Sequence, residues 1–196
     1  NMKGAAQRAL GRIDEALESF KQVVSLNPNY PEGLNNLGTI LKDQGKFDEA
    51  LEVYNQALTI KPDYTDCHYN RGIIFKEQGR FAEAINAYNQ ALKINPNYAE
   101  AYNNKAVIFK EQGDLDQALD TCEKALSINP KFYQALLNKS IVLRLQGKID
   151  DAIDSYKKVL TLKPDTPEAF NDLGIISIEQ GDLNEALAMF QKALTL

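Results

Sequence analysis

The sequence predicts an all-α fold, an elongated solenoid in which one two-helix unit is written six times. Three observations predict it: a recurring glycine, a recurring proline and apolar residues at helical spacing. Glycine recurs every 34 residues, at Gly11, Gly45, Gly79, Gly113, Gly147 and Gly181. Proline keeps the same interval, at Pro28, Pro62, Pro96, Pro130 and Pro164. Each unit of such an array contacts only its neighbours, so we expect one domain over 1–196 with a core formed along the seam between units.

Each unit is predicted to hold two helices. Apolar residues recur at intervals of three and four in the first helix of one unit, at Leu34, Leu37, Ile40 and Leu41. The second helix repeats the spacing, at Phe47, Ala50, Leu51, Tyr54 and Leu58. This period places the apolar side chains of each helix on one face, where the neighbouring helices can cover them.

Turn residues predict where the helices begin and end. Gly45 supplies the left-handed backbone that ends the first helix, and Asp48 puts a carboxylate near the free N–H groups of the second. Pro62 disfavours helix in the residue before it and so stops the second helix. Pro31 and Pro167 suit the first turn of the helices that follow.

A small residue and a large residue alternate between the two helices at fixed positions. The small position in the first helix holds Gly4, Gly38, Gly72, Ala106, Ser140 and Gly174. The large position in the second helix holds Phe20, Tyr54, Tyr88, Cys122, Tyr156 and Phe190. Interlocking helices require this pairing, so we expect these aromatic residues to pack the seam rather than to form a binding box.

With these residues the sequence resembles the tetratricopeptide repeat (TPR) family, whose unit carries W-x2-L-G-x2-Y, then A-x3-F, then P. In one unit the pattern is met by Leu34, Leu37, Gly38, Leu41, Ala50, Tyr54 and Pro62. The full units are 31–64, 65–98, 99–132 and 133–166, with partial units at 1–30 and 167–196. The chain departs from the pattern at its leucine position, which becomes Arg71, Lys105 and Lys139.

The resemblance implies a right-handed α-α superhelix whose first helices line a concave groove that holds an extended peptide or a partner segment. We take each first helix to begin two residues into its unit. Registers 2, 5, 6, 9, 12 and 13 of the unit then lie on one face. Register 6 holds Asn36, Asn70, Asn104 and Asn138, and finally Asp172. We call these five residues the amide ladder and predict that they bind peptide.

Asparagine is a poor helix former, so its recurrence in one register calls for an explanation. One explanation is recognition, because a primary amide both donates and accepts hydrogen bonds and can bind a peptide backbone. The row is similar to the asparagine ladder of the O-linked N-acetylglucosamine transferase superhelix. The alternative is that each amide bonds to a neighbouring helix and fixes the stacking of the units.

Charged residues flank the ladder. Register 2 holds the acids Glu32, Asp66, Glu100 and Glu168, and register 12 holds the cations Arg8, Lys42, Lys76, Lys110 and Arg144. Mixed rows of this kind are typical of solvated faces with weak pairing. They also disfavour the clamp for acidic chaperone tails, which the family builds from cations in registers 2, 5 and 6.

The composition narrows the partners to a protein or a peptide. A net charge of −5 disfavours nucleic acid and membrane surfaces, and no apolar run reaches the roughly 18 to 20 residues of a membrane span. The lone His68 lies in a packing register, and Cys67 and Cys122 are expected to be buried free thiols of a reducing compartment. We therefore expect a cytoplasmic protein that is not an enzyme and has no cofactor and no metal.

The leading hypothesis is a protein-interaction scaffold. One alternative is the substrate-recruiting region of a larger enzyme such as a glycosyltransferase. A second is an architectural array that associates end to end, because the last helix, expected over 184–196, keeps Leu187, Phe190 and Leu194 in registers that other units bury. Either the native protein continues past Leu196 or copies of the chain stack through this helix.

Overall fold

A computed structural model describes residues 2–196, which form helices and turns with no strand among them. Two compact units divide the chain, the first running up to Pro96 and the second from Asn97 to Leu196. The first contains α1 (Met2–Ala9), α2 (Ile13–Leu26), α3 (Pro31–Asp43), α4 (Phe47–Ile60), α5 (Thr65–Glu77) and α6 (Phe81–Ile94). The second contains α7 (Ala99–Glu111), α8 (Leu115–Ile128), α9 (Tyr133–Leu145), α10 (Ile149–Leu162), α11 (Pro167–Glu179) and α12 (Leu183–Leu194). The predicted all-α class is confirmed.

The predicted turns are confirmed. All six periodic glycines have positive φ, between 71° and 85°, a backbone conformation that a residue with a Cβ rarely adopts. Acidic side chains lie in the first turn of each second helix, and the carboxylates of Asp114 and Asp182 accept bonds from the backbone N–H groups of Gln117 and Glu185. Such contacts satisfy donors that the helix itself leaves unpaired.

The helix starts differ slightly from expectation. Each first helix from α3 onward begins at the first residue of its 34-residue repeat, as at Pro31 and Pro167, and not two residues later. Proline fixes a helical φ there and has no N–H to leave unpaired. The last helix ends at Leu194, two residues earlier than expected. The face shared by registers 5 and 6 is unchanged, because it depends on the helical period and not on the starting residue.

The small and large positions interlock within each pair of helices. A Cβ built on Gly38 would lie 2.6 Å from Tyr54 Cε1, and the Tyr54 ring is completely buried. The first unit's core joins Tyr54 to apolar residues of α2, α3 and α5, including Leu34 and Ile74. In the second unit Tyr156 packs with Ile176 and other apolar residues. Burying each such side chain stabilises the fold by about 1.5–3 kcal/mol, so seam packing is confirmed as their role.

Candidate functional site

All five residues of the amide ladder lie on first helices and are half-buried. They occupy the equivalent position of α3, α5, α7, α9 and α11 and are Asn36, Asn70, Asn104, Asn138 and Asp172. Asn36, Asn70 and their helices belong to the first compact unit, and the other three residues to the second. The burial of each residue is intermediate, so its side chain is partly covered by its neighbours and partly accessible to solvent.

In the first unit, a bond between side chains ties the ladder to the preceding repeat. Asn70 Nδ2 donates to Asn35 Oδ1 at 3.2 Å, and Asn35 is only 8% exposed. The same oxygen accepts a weak bond from Cys67 Sγ at 3.4 Å. The buried amide oxygen of Asn35 is thereby satisfied twice, and α5 is held in register with α3.

The second unit repeats this contact. Asn138 Nδ2 donates to Asn103 Oδ1 at 2.9 Å, so the bond again joins a ladder residue on one first helix to register 5 of the preceding one. Lys110 Nζ donates to Asn138 Oδ1 at 3.3 Å. Both the nitrogen and the oxygen of the Asn138 amide are therefore hydrogen-bonded to residues of the neighbouring helix α7. This is the contact expected if the amide fixes the stacking of the repeats.

Asp172 completes the ladder with an acceptor-only side chain. The Tyr156 hydroxyl donates to Asp172 Oδ2 at 2.9 Å, and Arg144 Nη2 lies 3.5 Å from Asp172 Oδ1. Burial, and then the nearby Asp172 carboxylate, raise the pKa of Tyr156, which therefore stays protonated as a donor. The carboxylate lies on the same helix face as the amides and adds a negative charge there.

Two cavities each include one ladder residue. In the first unit, a cavity of about 360 Å³ is lined by Asn36 and by residues of α1, including Arg8. Arg8 Nε contacts Asp43 Oδ2 at 2.7 Å across its edge. In the second unit, a cavity of about 650 Å³ is lined mostly by apolar groups, including Phe190, together with Asp172. Both spaces are large enough to receive a side chain of a bound segment.

The flanking cations are closer to the ladder than the sequence suggested. The prediction of a solvated row is wrong for Arg144 and Lys42, whose side chains are only 20% and 16% exposed. Lys110 and Arg144 both reach the ladder residue of the next repeat. Long side chains bury their methylene groups along the helix and bring the charged end to a polar partner.

Asn35 and Asn103 are the residues that the sequence analysis missed. Both stand directly before a ladder asparagine in the chain, and each accepts a hydrogen bond from the following repeat. The Asn-Asn pairs in the sequence could have indicated these residues, because two consecutive asparagines both lower the stability of a helix and so call for an explanation. They place additional amide groups beside the ladder.

Other candidate groups have packing roles. Burial raises the pKa of the Cys67 and Cys122 thiols to about 12, and both cysteines are free and buried as predicted. Among residues 2–196, no group of His, Cys, Asp and Glu side chains is arranged to hold a metal ion. Within the same range, no helix is both long and apolar enough to cross a bilayer.

Family models match along the chain. A model described as a TPR repeat matches residues 4–45, 38–79, 72–113 and 142–177. Three tetratricopeptide repeat models match residues 99–132, 121–154 and 168–196. The segments 99–132 and 121–154 overlap, and the three segments together contain the turns that follow α7, α9 and α11. No curated protein matches the sequence significantly.

Solved structures agree with the family models. The crystal structure of MamA is similar, with a TM-score of 0.72 and 27% sequence identity. The alignment covers 82% of this chain and 94% of the MamA chain. YrrB, described as a TPR protein with an unusual peptide-binding site, is 20% identical over 91% of this chain and 92% of its own, with a TM-score of 0.72. PilF of Pseudomonas aeruginosa is 17% identical over 96% and 86%, with a TM-score of 0.86. The chain belongs to the tetratricopeptide repeat family.

Proposed function

We propose that this protein is an interaction scaffold whose amide ladder binds the backbone of an extended peptide. The observation that carries the proposal is the repeated orientation of the ladder amides. Asn70 and Asn138 each donate one N–H to the preceding repeat, at 3.2 Å and 2.9 Å. A primary amide has two N–H donors and an oxygen with two lone pairs, so this bond holds the group in place and leaves it capacity for a ligand.

The spacing of the helices suits an extended chain. Packed helices lie about 8–10 Å apart, and an extended peptide advances about 3.3 Å per residue. The first helices α3 and α5 contact each other, as do α7 and α9, so each of these helices would correspond to about three residues of a bound peptide. A backbone amide or carbonyl can return to an equivalent position at every repeat, and side-chain identity matters little to such a contact.

The half-burial of the ladder favours binding energetically. A hydrogen bond contributes about 0.5–1.5 kcal/mol net to stability or binding. The bond is stronger where water is partly excluded, because the local dielectric constant is lower there. All five ladder residues are in this intermediate range. The peptide-binding site named for YrrB supports the proposal, since YrrB is a TPR protein and this chain belongs to the same family.

The test is a peptide selection followed by affinity measurements. A displayed library of unstructured peptides of about nine residues spans three first helices at about three residues each. Peptides selected on the wild-type protein are then measured by calorimetry against an Asn36→Ala, Asn70→Ala variant and an Asn104→Ala, Asn138→Ala variant. We expect one of the two variants to lose about 2 kcal/mol of binding, which is roughly 30-fold in the dissociation constant.

Two matched controls separate recognition from stacking. Asn35→Ala and Asn103→Ala each remove the bond between repeats and leave the ladder side chains present. Because these variants keep the ladder amides but release their orientation, we expect a measurable loss of affinity that is smaller than the loss in the ladder variants. Selected peptides that bind the ladder variants as tightly as wild type, or a selection that yields no peptide, would contradict the proposal.

Exposed apolar residues of α12 favour a second candidate function, end-to-end association with another copy. Leu187 is 58% exposed, and Leu194, which lines the apolar cavity together with Phe190, is 86% exposed. Large exposed apolar groups that lie together tend to be contact surfaces. Sedimentation velocity should then show mass increasing with protein concentration, and Leu187→Glu should abolish the increase. A monomer at every concentration would reject this candidate.

A further inference from the structure

The cations at the family's leucine position form a feature that the ladder does not explain. Arg71, Lys105 and Lys139 are all half-buried there. Lys139 contacts Glu123 at 2.7 Å, whereas Arg71 Nε is buried and has no hydrogen-bond partner among the described residues. A guanidinium has five N–H donors in a planar fork, and burial of an unpaired donor costs about 1–3 kcal/mol. Arg71 therefore occupies a position where leucine would be more stable.

Arg71 lines a small cavity between α5 and α6. The cavity has a volume of about 170 Å³, and its polar lining groups come from His68, Arg71, Glu83, Asn86 and Gln90. His68 and Arg71 are three residues apart on α5 and so lie on one face of the helix. At about 100° per residue, the ladder residue Asn70 lies about 100° from Arg71 and about 160° from His68 around the axis of α5, and it is not among the residues that line the cavity. The cavity is thus separate from the proposed peptide site.

His68 brings a second unpartnered atom to this cavity. Its Nε2 lies 2.9 Å from the carbonyl oxygen of Pro62 and must carry a hydrogen to bond there. Nδ1 is then the unprotonated nitrogen of the neutral ring, and it is buried without a partner among the described residues. The cavity consequently contains a guanidinium donor and an imidazole nitrogen that accepts when the ring is neutral and donates when it is protonated.

The charge balance of the cavity favours an anion. Glu83 is the one acidic residue in the lining, and Arg80 Nε contacts its carboxylate at 2.7 Å while Arg80 Nη2 makes a second bond to it. This pairing lowers the pKa of Glu83 and raises that of Arg80, as expected for a close ion pair. Arg80 therefore makes the contact ion pair with Glu83, while Glu83 acts on Arg71 only from beyond ion-pair distance, so Arg71 has no contact ion pair of its own among the described residues.

The guanidinium of Arg71 packs over the aromatic ring of Phe75. Arg71 Cζ lies 5.6 Å from the centre of this ring, and Phe75 itself is 7% exposed. A guanidinium held over an aromatic face keeps its edge available for two parallel bonds to an oxyanion. Arg71 is half-buried, which partly removes its charge from water and lowers the pKa of the guanidinium.

We propose that the cavity between α5 and α6 is an oxyanion-binding site, in which the Arg71 guanidinium donates hydrogen bonds to the charged oxygens and His68, when its ring is protonated, donates from Nδ1 to a neighbouring oxygen of the same group. The oxyanion is the carboxylate of an acidic peptide segment or a free inorganic oxyanion such as phosphate. Asn86 and Gln90 line the same space and supply further amide donors.

The single histidine makes the site directly observable. His68 is the only histidine of the sequence, so a two-bond 1H–15N spectrum of untagged protein reports the state of its ring alone. Sodium phosphate and blocked glutamate, N-acetyl-glutamate amide, are titrated separately, with sodium chloride at equal ionic strength as the reference. We expect a saturable shift of Nδ1 and a raised melting temperature with one or both of the two oxyanions. Phosphate alone acting would identify the inorganic source, and glutamate alone the peptide source.

Two variants decide whether Arg71 is responsible. Arg71→Leu restores the family residue, so we expect it to melt no lower than wild type without anion, while its anion dissociation constant rises at least about tenfold. Lys105→Leu changes the equivalent residue of the next repeat and should keep the full response. The absence of a saturable shift with both oxyanions, or an equal response from Arg71→Leu, would overturn the proposal.

Discussion

The interlocking of Gly38 with Tyr54 gives a stability prediction whose sign depends on the partner residue. A methyl group on Gly38 would lie 2.6 Å from Tyr54 Cε1 and 2.9 Å from both Cδ1 and Cζ. Unstrained carbon contacts are about 3.5–4.0 Å, so the ring must move by roughly 1 Å. Tyr54 is completely buried among other core residues, so its ring can move only if its neighbours move as well.

The expected magnitude combines two opposing effects. Overpacking a core costs about 1–3 kcal/mol, and replacing glycine by alanine within a helix gains about 1 kcal/mol. Gly38→Ala should therefore destabilise wild type by up to about 2 kcal/mol. At the equivalent positions of another repeat Ala106 occurs with the small Cys122, whereas Ser140 occurs with Tyr156, so one repeat accommodates a Cβ beside a tyrosine and the cost at Gly38 depends on how far the ring can shift. In a Tyr54→Cys background, Gly38→Ala should instead stabilise by about 1 kcal/mol.

Urea denaturation of the four proteins of this cycle measures the coupling. Circular dichroism follows the loss of helix, tyrosine fluorescence supplies a second probe, and the two transitions must coincide for free energies to be compared. We expect a coupling free energy of about 1–3 kcal/mol. A coupling below about 0.5 kcal/mol would refute the close contact on which the seam argument rests.

Two further predictions concern the thiols and the turns. Burial raises the pKa of the Cys67 and Cys122 thiols to about 12. At pH 8 both should therefore react with Ellman's reagent roughly a thousandfold more slowly in the folded protein than in the urea-unfolded protein. Equal rates in the two states would contradict their burial. Gly79→Ala should lower the free energy of unfolding by about 1–2 kcal/mol, because φ is 71° there and nothing else lies close to the added methyl group; an unchanged urea midpoint would contradict the strain argument.

The sequence was sufficient for the repeat, the helix pairs and the seam. Turn glycines and stop prolines act within a few residues, so their consequences follow from local chemistry, as at Gly45 and Pro62. The pairing of Gly38 with Tyr54 was also predictable, since the same two positions alternate in size in almost every unit.

The partners of the ladder were not predictable in the same way. The bond from Asn70 to Asn35 depends on how two consecutive first helices rotate and shift against each other, and that is decided by packing along the whole seam. The reach of Lys110 to Asn138 depends on rotamers of a long side chain, for which a periodic sequence gives no information. The unpartnered nitrogens of His68 and Arg71 likewise become visible only once the surrounding helices are placed.

The side-chain amides themselves provide the most direct test of peptide recognition. A peptide selected on the wild-type protein is titrated into 15N-labelled protein, and the NH₂ resonances of asparagine are followed, with each assigned by substitution. We expect the peptide to shift the resonances of Asn36 and Asn70, or those of Asn104 and Asn138, and to slow the exchange of these amide hydrogens with water. Resonances of all four residues that stay unchanged at saturating peptide, while others such as the exposed Asn55 of α4 shift, would contradict the ladder as the binding site.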